Sequence, residues 1–490
     1  MVALNAFSKR KKEKTVMKFW KDKEFLKKVL LLSLPIALQN LITSILNIFD
    51  QLMVGWLPSN ADNCLSAVLL ANQIVFIYQI VLFAASNTAN IFIAQYAENG
   101  KKDKIPSSVG FLLIVCAAVC AVFTSVCLFA PDFVIGLFSP QEEYAALASE
   151  FLSLVAWSFI PMCFSVALNF TMRGIKRMRV GLISNIIAVV CNIFLNYFFM
   201  FGLFGYEGMG FLGAAYGTIV SRIIEFALML GGVILFRYPL FARPKEMFSF
   251  ARPFVKQFFK MFFPILCNEI FWVLSSTVYL YVYDKLPSSE IALAAMNIAQ
   301  SVDKIVSVAM IGIGSAVGII IGNVIGEGDR EKVDDYANKS LWFALFTGLL
   351  IGILTVGCAF VAPNFFANVS LEAKETAKVL LLLFALTAVL RTVGFMAVIG
   401  ILRSGGDTTF CMVSETLCIW LVSVPLVFFG GLVKQWNIYI LYLLANVSEI
   451  IKCIFFVLRA KSNKWLKFVD QAEPSSAPLS QEKAALSEEN

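Results

Sequence analysis

Apolar stretches of 20 or more residues recur along this chain, twelve in all. In hydrocarbon no water is available to hydrogen-bond a bare backbone, so only helices or closed barrels can cross a membrane, and a helix needs about 20 apolar residues to do so. Runs of that length, without the period-2 alternation of a barrel strand, predict an all-α integral membrane protein of twelve transmembrane helices. The composition agrees. The chain is 59 % hydrophobic, above the roughly 45–50 % of soluble proteins, and its mean hydropathy is +0.79.

The runs fall into two sets of six that resemble one another at an offset of about 229 positions. Pro35 and Ile36 in LSLPIALQN return as Pro264 and Ile265 in MFFPILCNE, which sets Gln39 opposite Asn268. NTANIFIAQYAENG (Asn87 to Gly100) lies over SAVGIIIGNVIGEG (Ser315 to Gly328), and FTMRGIKR lies over GILRSGGD, so that Arg173 meets Arg403. An even number of spans per copy returns the second copy to the orientation of the first. The expected architecture is therefore two parallel six-helix repeats with a site between them near the midplane. The corresponding divisions are a basic N-terminal segment (1–28), an N-lobe (29–240), a C-lobe (241–460) and a polar tail (461–490).

Lysine and arginine collect on alternate sides. The N-terminal segment carries Lys9 to Lys12, Lys14, Lys18, Lys21, Lys23, Lys27 and Lys28 around Arg10, and every second loop after it is basic. The intervening loops around 56–64, 130–144 and 204–208 hold no lysine or arginine. By the positive-inside rule both termini are expected in the cytoplasm and the protein in the cell membrane, in contact with its lipids. The net charge of +7 is divided among loops and predicts no nucleic-acid partner. The eleven cysteines show no CxxC pair and read as small packing residues. There is no histidine, which removes imidazole metal sites, Ser–His catalysis and histidine proton relays. No cofactor is expected, and any proton carrier has to be Asp or Glu.

Polar residues inside the spans carry the functional signal, because a charge at bilayer depth costs about 2.5–3.5 kcal/mol on insertion scales. Asn40, Thr43, Asn47 and Asp50 share one face of the first span, whose embedded carboxylate has no base in its own helix. Its proton is expected to be exchangeable. The seventh span sets Glu269, Trp272, Ser276, Tyr279 and Tyr283 at steps of three and four, a carboxylate beside aromatic faces that suits a flat organic cation; Tyr283 reads as packing. Asn185, Asn192 and Asn196 share a face of the fifth span, and Asn72, Gln79, Asn87 and Asn90 a stripe of the second. In the eighth, Gln300, Asp303 and Ser307 align, with Lys304 expected to neutralise Asp303. Arg222/Glu225 and Glu449/Lys452 are i,i+3 ion pairs, and Arg391 and Glu415 are expected to answer each other across helices.

Taken in order, PIALQNLITSILNIFDQLMVG, NIFIAQYAENG, the stretch from NIFLNYFFMFG to MGFLGAAYGT, GNVIGEGD and ILRSGGDTTF resemble the multidrug and toxic compound extrusion (MATE) family over Leu34 to Ala460. The resemblance implies two six-helix lobes around a V-shaped cavity and export of organic cations against inward Na⁺ or H⁺, by a chain expected to act as a monomer. Asp50 matches the first-helix aspartate of the N-lobe cation or proton site and Asn192 its fifth-helix asparagine, while Asn196 stands where many members have aspartate. Glu269 matches the seventh-helix glutamate of the C-lobe site, so that a Na⁺ at Asp50 or Glu269 is the one metal ion to consider. The tenth-helix aspartate of some members has no counterpart. Arg391 near a cation site repels Na⁺ and favours H⁺. Asp303 is the further coupling candidate, and Asn40, Asn47, Asn72, Gln79, Trp272, Ser276, Tyr279 and Arg391 are the expected cavity residues. Two rival readings are a lipid-linked flippase, which needs a basic-lined cavity, and a polytopic enzyme, which needs catalytic groups in sizeable loops.

Overall fold

In a computed structural model the described residues are 22–57, 61–137, 142–203, 205–238, 240, 243–366, 369–462 and 464–466. Twelve helices among them are long and apolar enough to cross a membrane. They are α1 (Lys23–Gly55), α2 (Ala61–Tyr96), α3 (Lys104–Phe129), α4 (Tyr144–Gly174), α5 (Met178–Phe201) and α6 (Leu212–Leu235) in the first half. The second half supplies α7 (Arg252–Asp284), α8 (Ser289–Glu327), α9 (Arg330–Val361), α10 (Leu371–Leu402), α11 (Thr408–Val433) and α12 (Ile438–Lys461). No strand occurs among the described residues. The basic segment before Asp22 and the polar tail lie outside them.

Helix ends and breaks follow local chemistry. Asp22 caps α1 by accepting a hydrogen bond from the Phe25 N–H at 2.9 Å, and Gly328 closes α8 in the left-handed conformation (φ +80°). Pro35 and Pro264 sit at matching positions inside α1 and α7. Each deletes a backbone hydrogen bond and favours a bend at the same depth of the two repeats. The second half is more irregular than the first: α10 ends in a π-helical stretch, Met396–Leu402, and α11 carries two, Ile419–Ser423 and Phe429–Val433.

The beginnings of α1 and α7 are exchanged between the halves. Phe25 and Val29 of α1 lie in the core formed by α8, α9 and α10, together with Val317, Val333 and Leu402. Reciprocally, Phe258, Met261, Phe262 and Ile265 of α7 belong to the N-lobe core. There the Phe258 ring meets Phe92 of α2 and Phe111 of α3 at centroid distances of 6.2 and 5.0 Å. These contacts fall in one half of the membrane, at the face from which α1 starts and where α2 and α8 end. At the opposite face, the core of Val282, Tyr283, Ala292, Leu380, Val427 and Leu441 belongs to the C-lobe alone.

The ends of α2 and α8 close that terminal face. Asn323 donates to the Ala94 carbonyl at 2.7 Å, and Gln95 donates to the Ser404 carbonyl at 3.0 Å. The helices approach so closely that a β-carbon at Gly322 would stand 3.0 Å from that of Ala94, and one at Gly326 would collide with the Gln95 carbonyl. Gly326→Val is therefore expected to destabilise this packing by about 1–3 kcal/mol. Gly357→Val, where a β-carbon meets nothing within 4 Å, is the control. Thermal unfolding of the two purified variants checks this: equal midpoints would mean that the closure does not hold as described.

Candidate functional site

Five N-lobe helices converge on a cavity of about 70 Å³ lined by Asp50 of α1, Asn72 and Gln79 of α2, Ser158 of α4, Asn192 of α5 and Arg222 of α6. Steps of four on α5 put Asn192 and Asn196 on one face. Asn196 donates through Nδ2 to Asp50 Oδ1 at 2.7 Å and to Asn192 Oδ1 at 3.0 Å, while Asn192 donates to Ser221 Oγ of α6 at 3.0 Å. The amides are 0 % and 2 % exposed. They fit because residue 217 is glycine: a β-carbon there would occupy the place of Asn196 Oδ1. That oxygen is buried and accepts no hydrogen bond. Ligand pockets for drug-sized molecules run to about 300–1,000 Å³, so this cavity suits water, a proton or a small ion.

Arg222 makes the expected pair with Glu225 at 2.7 Å. It also lines the Asp50 cavity, a role its i,i+3 spacing does not disclose. A guanidinium beside a carboxylate opposes any further cation there, Na⁺ and proton alike, and its own pairing with Glu225 tempers that effect. Of the predicted stripe, Thr43 and Asn40 do not line the cavity. Thr43 bonds back to the Gln39 carbonyl at 2.9 Å, and the buried Asn40 Nδ2 has no acceptor. The Asn47 side chain lies outside the described residues. Among the described residues no three acids or cysteines gather as a metal site.

In the C-lobe Glu269 is held by Arg403 of α10 at 2.9 Å. Arg403 is visible in the sequence only as the repeat partner of Arg173. The structure gives that pairing meaning: Arg173 is buried, donating to Gln39 at 2.8 Å and Asn169 at 2.9 Å and lying 4.6 Å over the Phe170 ring. In the repeat register Gln39 faces Asn268, so the next residues, Asn40 and Glu269, correspond. The two arginines thus occupy equivalent posts, one against amides and one against a carboxylate. The aromatic stripe does not converge on Glu269. Trp272 is 49 % exposed and Tyr283 is 1 % exposed, in the core. Tyr279 packs half-buried against the same core, and Ser276 bonds back to the Trp272 carbonyl at 3.2 Å.

Two expected pairings are replaced. Asp303 pairs with Arg391 at 3.4 Å and not with Lys304, because adjacent positions on a helix do not face each other and Lys304 is exposed. Arg391 is consequently not available to Glu415. Glu415 receives Asn268 Nδ2 at 2.9 Å and Lys452 Nζ at 3.3 Å, and Lys452 also makes its expected i,i+3 pair with Glu449 at 2.7 Å. Each of these groups was visible as an embedded polar residue. Which of them meet depends on how α10, α11 and α12 rotate, and the irregular turns in α10 and α11 hide that from periodicity.

The model of the MatE family matches residues 35–198 and 264–429. A probable multidrug resistance protein NorM of Thermotoga maritima is 25 % identical over 471 residues, covering 91 % of this chain and 94 % of that protein. A second, from Rhizobium meliloti, is 27 % identical over 453 residues, covering 88 % and 92 %. Among solved structures, a MATE crystal structure in the bent conformation superposes with a TM-score of 0.81 at 17 % identity, covering 90 % of this chain and 95 % of that one. An outward-facing conformation of a multidrug resistance MATE family transporter superposes with a TM-score of 0.76 at 17 % identity, covering 89 % and 95 %. The twelve helices form the two lobes of that fold, and both halves of the chain match the family model: the protein belongs to the multidrug and toxic compound extrusion family.

Proposed function

We propose that this chain is a secondary active exporter that moves organic cations out of the cell in exchange for inward protons. The observation that carries the reading is Asp50, a carboxylate inside a cavity of about 70 Å³, tied to Asn196 and facing Arg222. The site is too small for the drugs after which the NorM relatives are named and of the right size for the coupling ion. The substrate then binds elsewhere, between the lobes, where the exposed Trp272 offers an aromatic face for a flat cation.

The distribution of lysine and arginine makes the closed terminal face cytoplasmic, so the conformation described corresponds to a protein shut toward the cell interior. Proton uptake on Asp50 from outside removes its charge and weakens its hold on Asn196, and inward release restores both. Exchange of one proton for one monovalent cation moves no net charge. The membrane potential, about 2.3 kcal/mol per charge per 100 mV, then drops out, and the pH difference drives export at about 1.4 kcal/mol per tenfold. The flippase alternative loses support because Arg391, one of its few candidate phosphate ligands, is engaged by Asp303.

Proteoliposomes loaded with ethidium, a flat aromatic monocation, test the reading. Asp50→Asn is expected to lower pH-gradient-driven transport by about tenfold or more, the loss of one driving proton. Retention of most of the pH-driven rate would refute Asp50 as carrier. A Na⁺ gradient at equal pH on both sides is expected to drive nothing in the wild type, and Na⁺-driven transport would overturn the proton assignment. Replacing the resident pair, Arg222→Gln with Glu225→Gln, is expected to let Na⁺ compete with H⁺, read as Na⁺ inhibition of the pH-driven flux at alkaline pH.

A further inference from the structure

The charged side chains embedded in the C-lobe form a single series in which signs alternate. Glu269 of α7 pairs with Arg403 of α10, and Asp303 of α8 pairs with Arg391 of α10. Between them, Glu415 of α11 and Glu449 of α12 both bind Lys452 of α12. Arg391 lies within α10 and Arg403 just past its end, twelve residues on and beyond the π-helical stretch, so the series extends along that helix through the lobe. Five of the six C-lobe helices contribute to it.

The series does not balance. Four carboxylates face three bases. Two of the bases are committed one to one, leaving Glu415 and Glu449 to share the single ammonium of Lys452. An uncompensated buried charge is strongly destabilising, and two interacting carboxylates lose and gain their protons as a pair. The other titratable groups in range are Arg391, engaged with Asp303, Arg403, engaged with Glu269 and also in range of Glu415, and the side chains of Tyr279, Tyr442, Cys418 and Cys453, none of which adds a cation to the three already counted. A second and independent feature sits on the pair. Asn268 is 5 % exposed, and its amide donates through Nδ2 to Glu415 Oε2 at 2.9 Å, while its Oδ1 is buried with no donor. The Nδ2 suits an ionised Glu415. Turned over, the same amide presents the idle oxygen to the O–H of a protonated one.

We propose that Glu415, Glu449 and Lys452, with Asn268 as the amide that responds to protonation, form a proton-carrying site in the C-lobe, separate from Glu269. This deepens the proton-antiport reading and rests on it. The site holds one exchangeable proton; where it and Asp50 both load in a cycle, two protons exchange for one monovalent cation, and the membrane potential then contributes as well. When the proton arrives on Glu415, its O–H bonds to Asn268 Oδ1 and Lys452 turns wholly to Glu449. When it leaves, Lys452 again bridges α11 and α12. Glu269 remains ionised against Arg403 throughout.

The test uses the full chain reconstituted in lipid without substrate, read as an infrared difference spectrum between acid and alkaline buffer. A protonated-carboxyl band is expected in the wild type and in Asp284→Asn, a change at a partly exposed pair at the end of α7. The part of the band that survives Asp50→Asn is expected to vanish when Glu415→Gln or Glu449→Gln is added, and to shift with Asn268→Ala. If that part persists in both glutamine variants, or disappears only in Glu269→Gln, the proposal is overturned. In ethidium-loaded proteoliposomes Glu415→Gln is expected to keep substrate counterflow within about twofold while losing about tenfold or more of the pH-driven flux. Full pH-driven flux in this variant also overturns the proposal, and a variant that loses both activities is judged by its spectrum. If the wild type moves no ethidium at all, the transport reading fails while the spectrum still decides the proton site.

Discussion

Charge inside hydrocarbon has to be answered, and the ways in which this chain answers it organise both lobes. Apart from the exposed Lys304 of α8, the embedded bases named above have each found something to neutralise or solvate them. Arg222 has Glu225, Arg391 has Asp303, Arg403 has Glu269 and Lys452 has two carboxylates. Arg173 has amide oxygens, a phenyl face and its place in the last turn of α4, where helix carbonyls are negative. With the bases so occupied, attention falls on the carboxylates left over. Asp50 has only an amide as direct partner, and the Glu415–Glu449 pair has half the positive charge it needs.

The duplicated scaffold makes this imbalance interpretable. Arg173 and Arg403 hold equivalent posts, and what meets them differs, the amide of Gln39 in one repeat and the carboxylate of Glu269 in the other. An amide set against a carboxylate recurs at Asn185 and Glu415, which lie equally far along the chain from the two arginines. Asn185 is buried with an idle Oδ1, while Glu415 is drawn into the ladder of ion pairs. One backbone plan therefore carries two electrostatic designs: amides around a solitary acid in the N-lobe, and a laced series of charges in the C-lobe. A lobe with one lone carboxylate responds to a proton by losing one hydrogen bond. A lobe with a ladder responds by repartitioning a lysine between two helices.

Much of the architecture was legible because membrane helices are selected by length and hydropathy alone, and the repeat follows from anchors such as Pro35 and Pro264 that keep their spacing. That Asn192 and Asn196 share a face was legible because a spacing of four on α5 fixes it whatever the neighbours do, whereas their meeting with Asp50 of α1 was suggested only by the family resemblance. The partners of Asp303, Arg391 and Glu415 were not, since they depend on the rotation of one helix against another, and α10 and α11 are wound irregularly through π turns. Arg222 was hidden for a different reason: its local pair with Glu225 explained it sufficiently, so nothing in the spacing called for a second role. The aromatic stripe on α7 misled because helical periodicity places side chains on a face without saying what covers that face. Tyr283 found the core and Trp272 did not.

The distribution of strong and weak interactions bears on how such a molecule can move. The embedded ion pairs all lie within one lobe or the other. Between the lobes, the terminal face is held by packing around the exchanged starts of α1 and α7, by two neutral amide-to-carbonyl hydrogen bonds from Asn323 and Gln95, and at its rim by Lys339 with Asp22. A neutral hydrogen bond contributes about 0.5–1.5 kcal/mol net, whereas breaking a buried ion pair by removing a partner costs about 3–5. A rigid rocking of whole lobes that opens the terminal face therefore disturbs the cheaper set and leaves the costly one intact. The glycine-lined approach of α2 to α8 sharpens the contrast, because close packing is lost over a small displacement and gives the closed arrangement a definite end point. A proton entering either lobe changes the internal charge of a rigid body, and the shape of that body is what the weak inter-lobe contacts are able to sense.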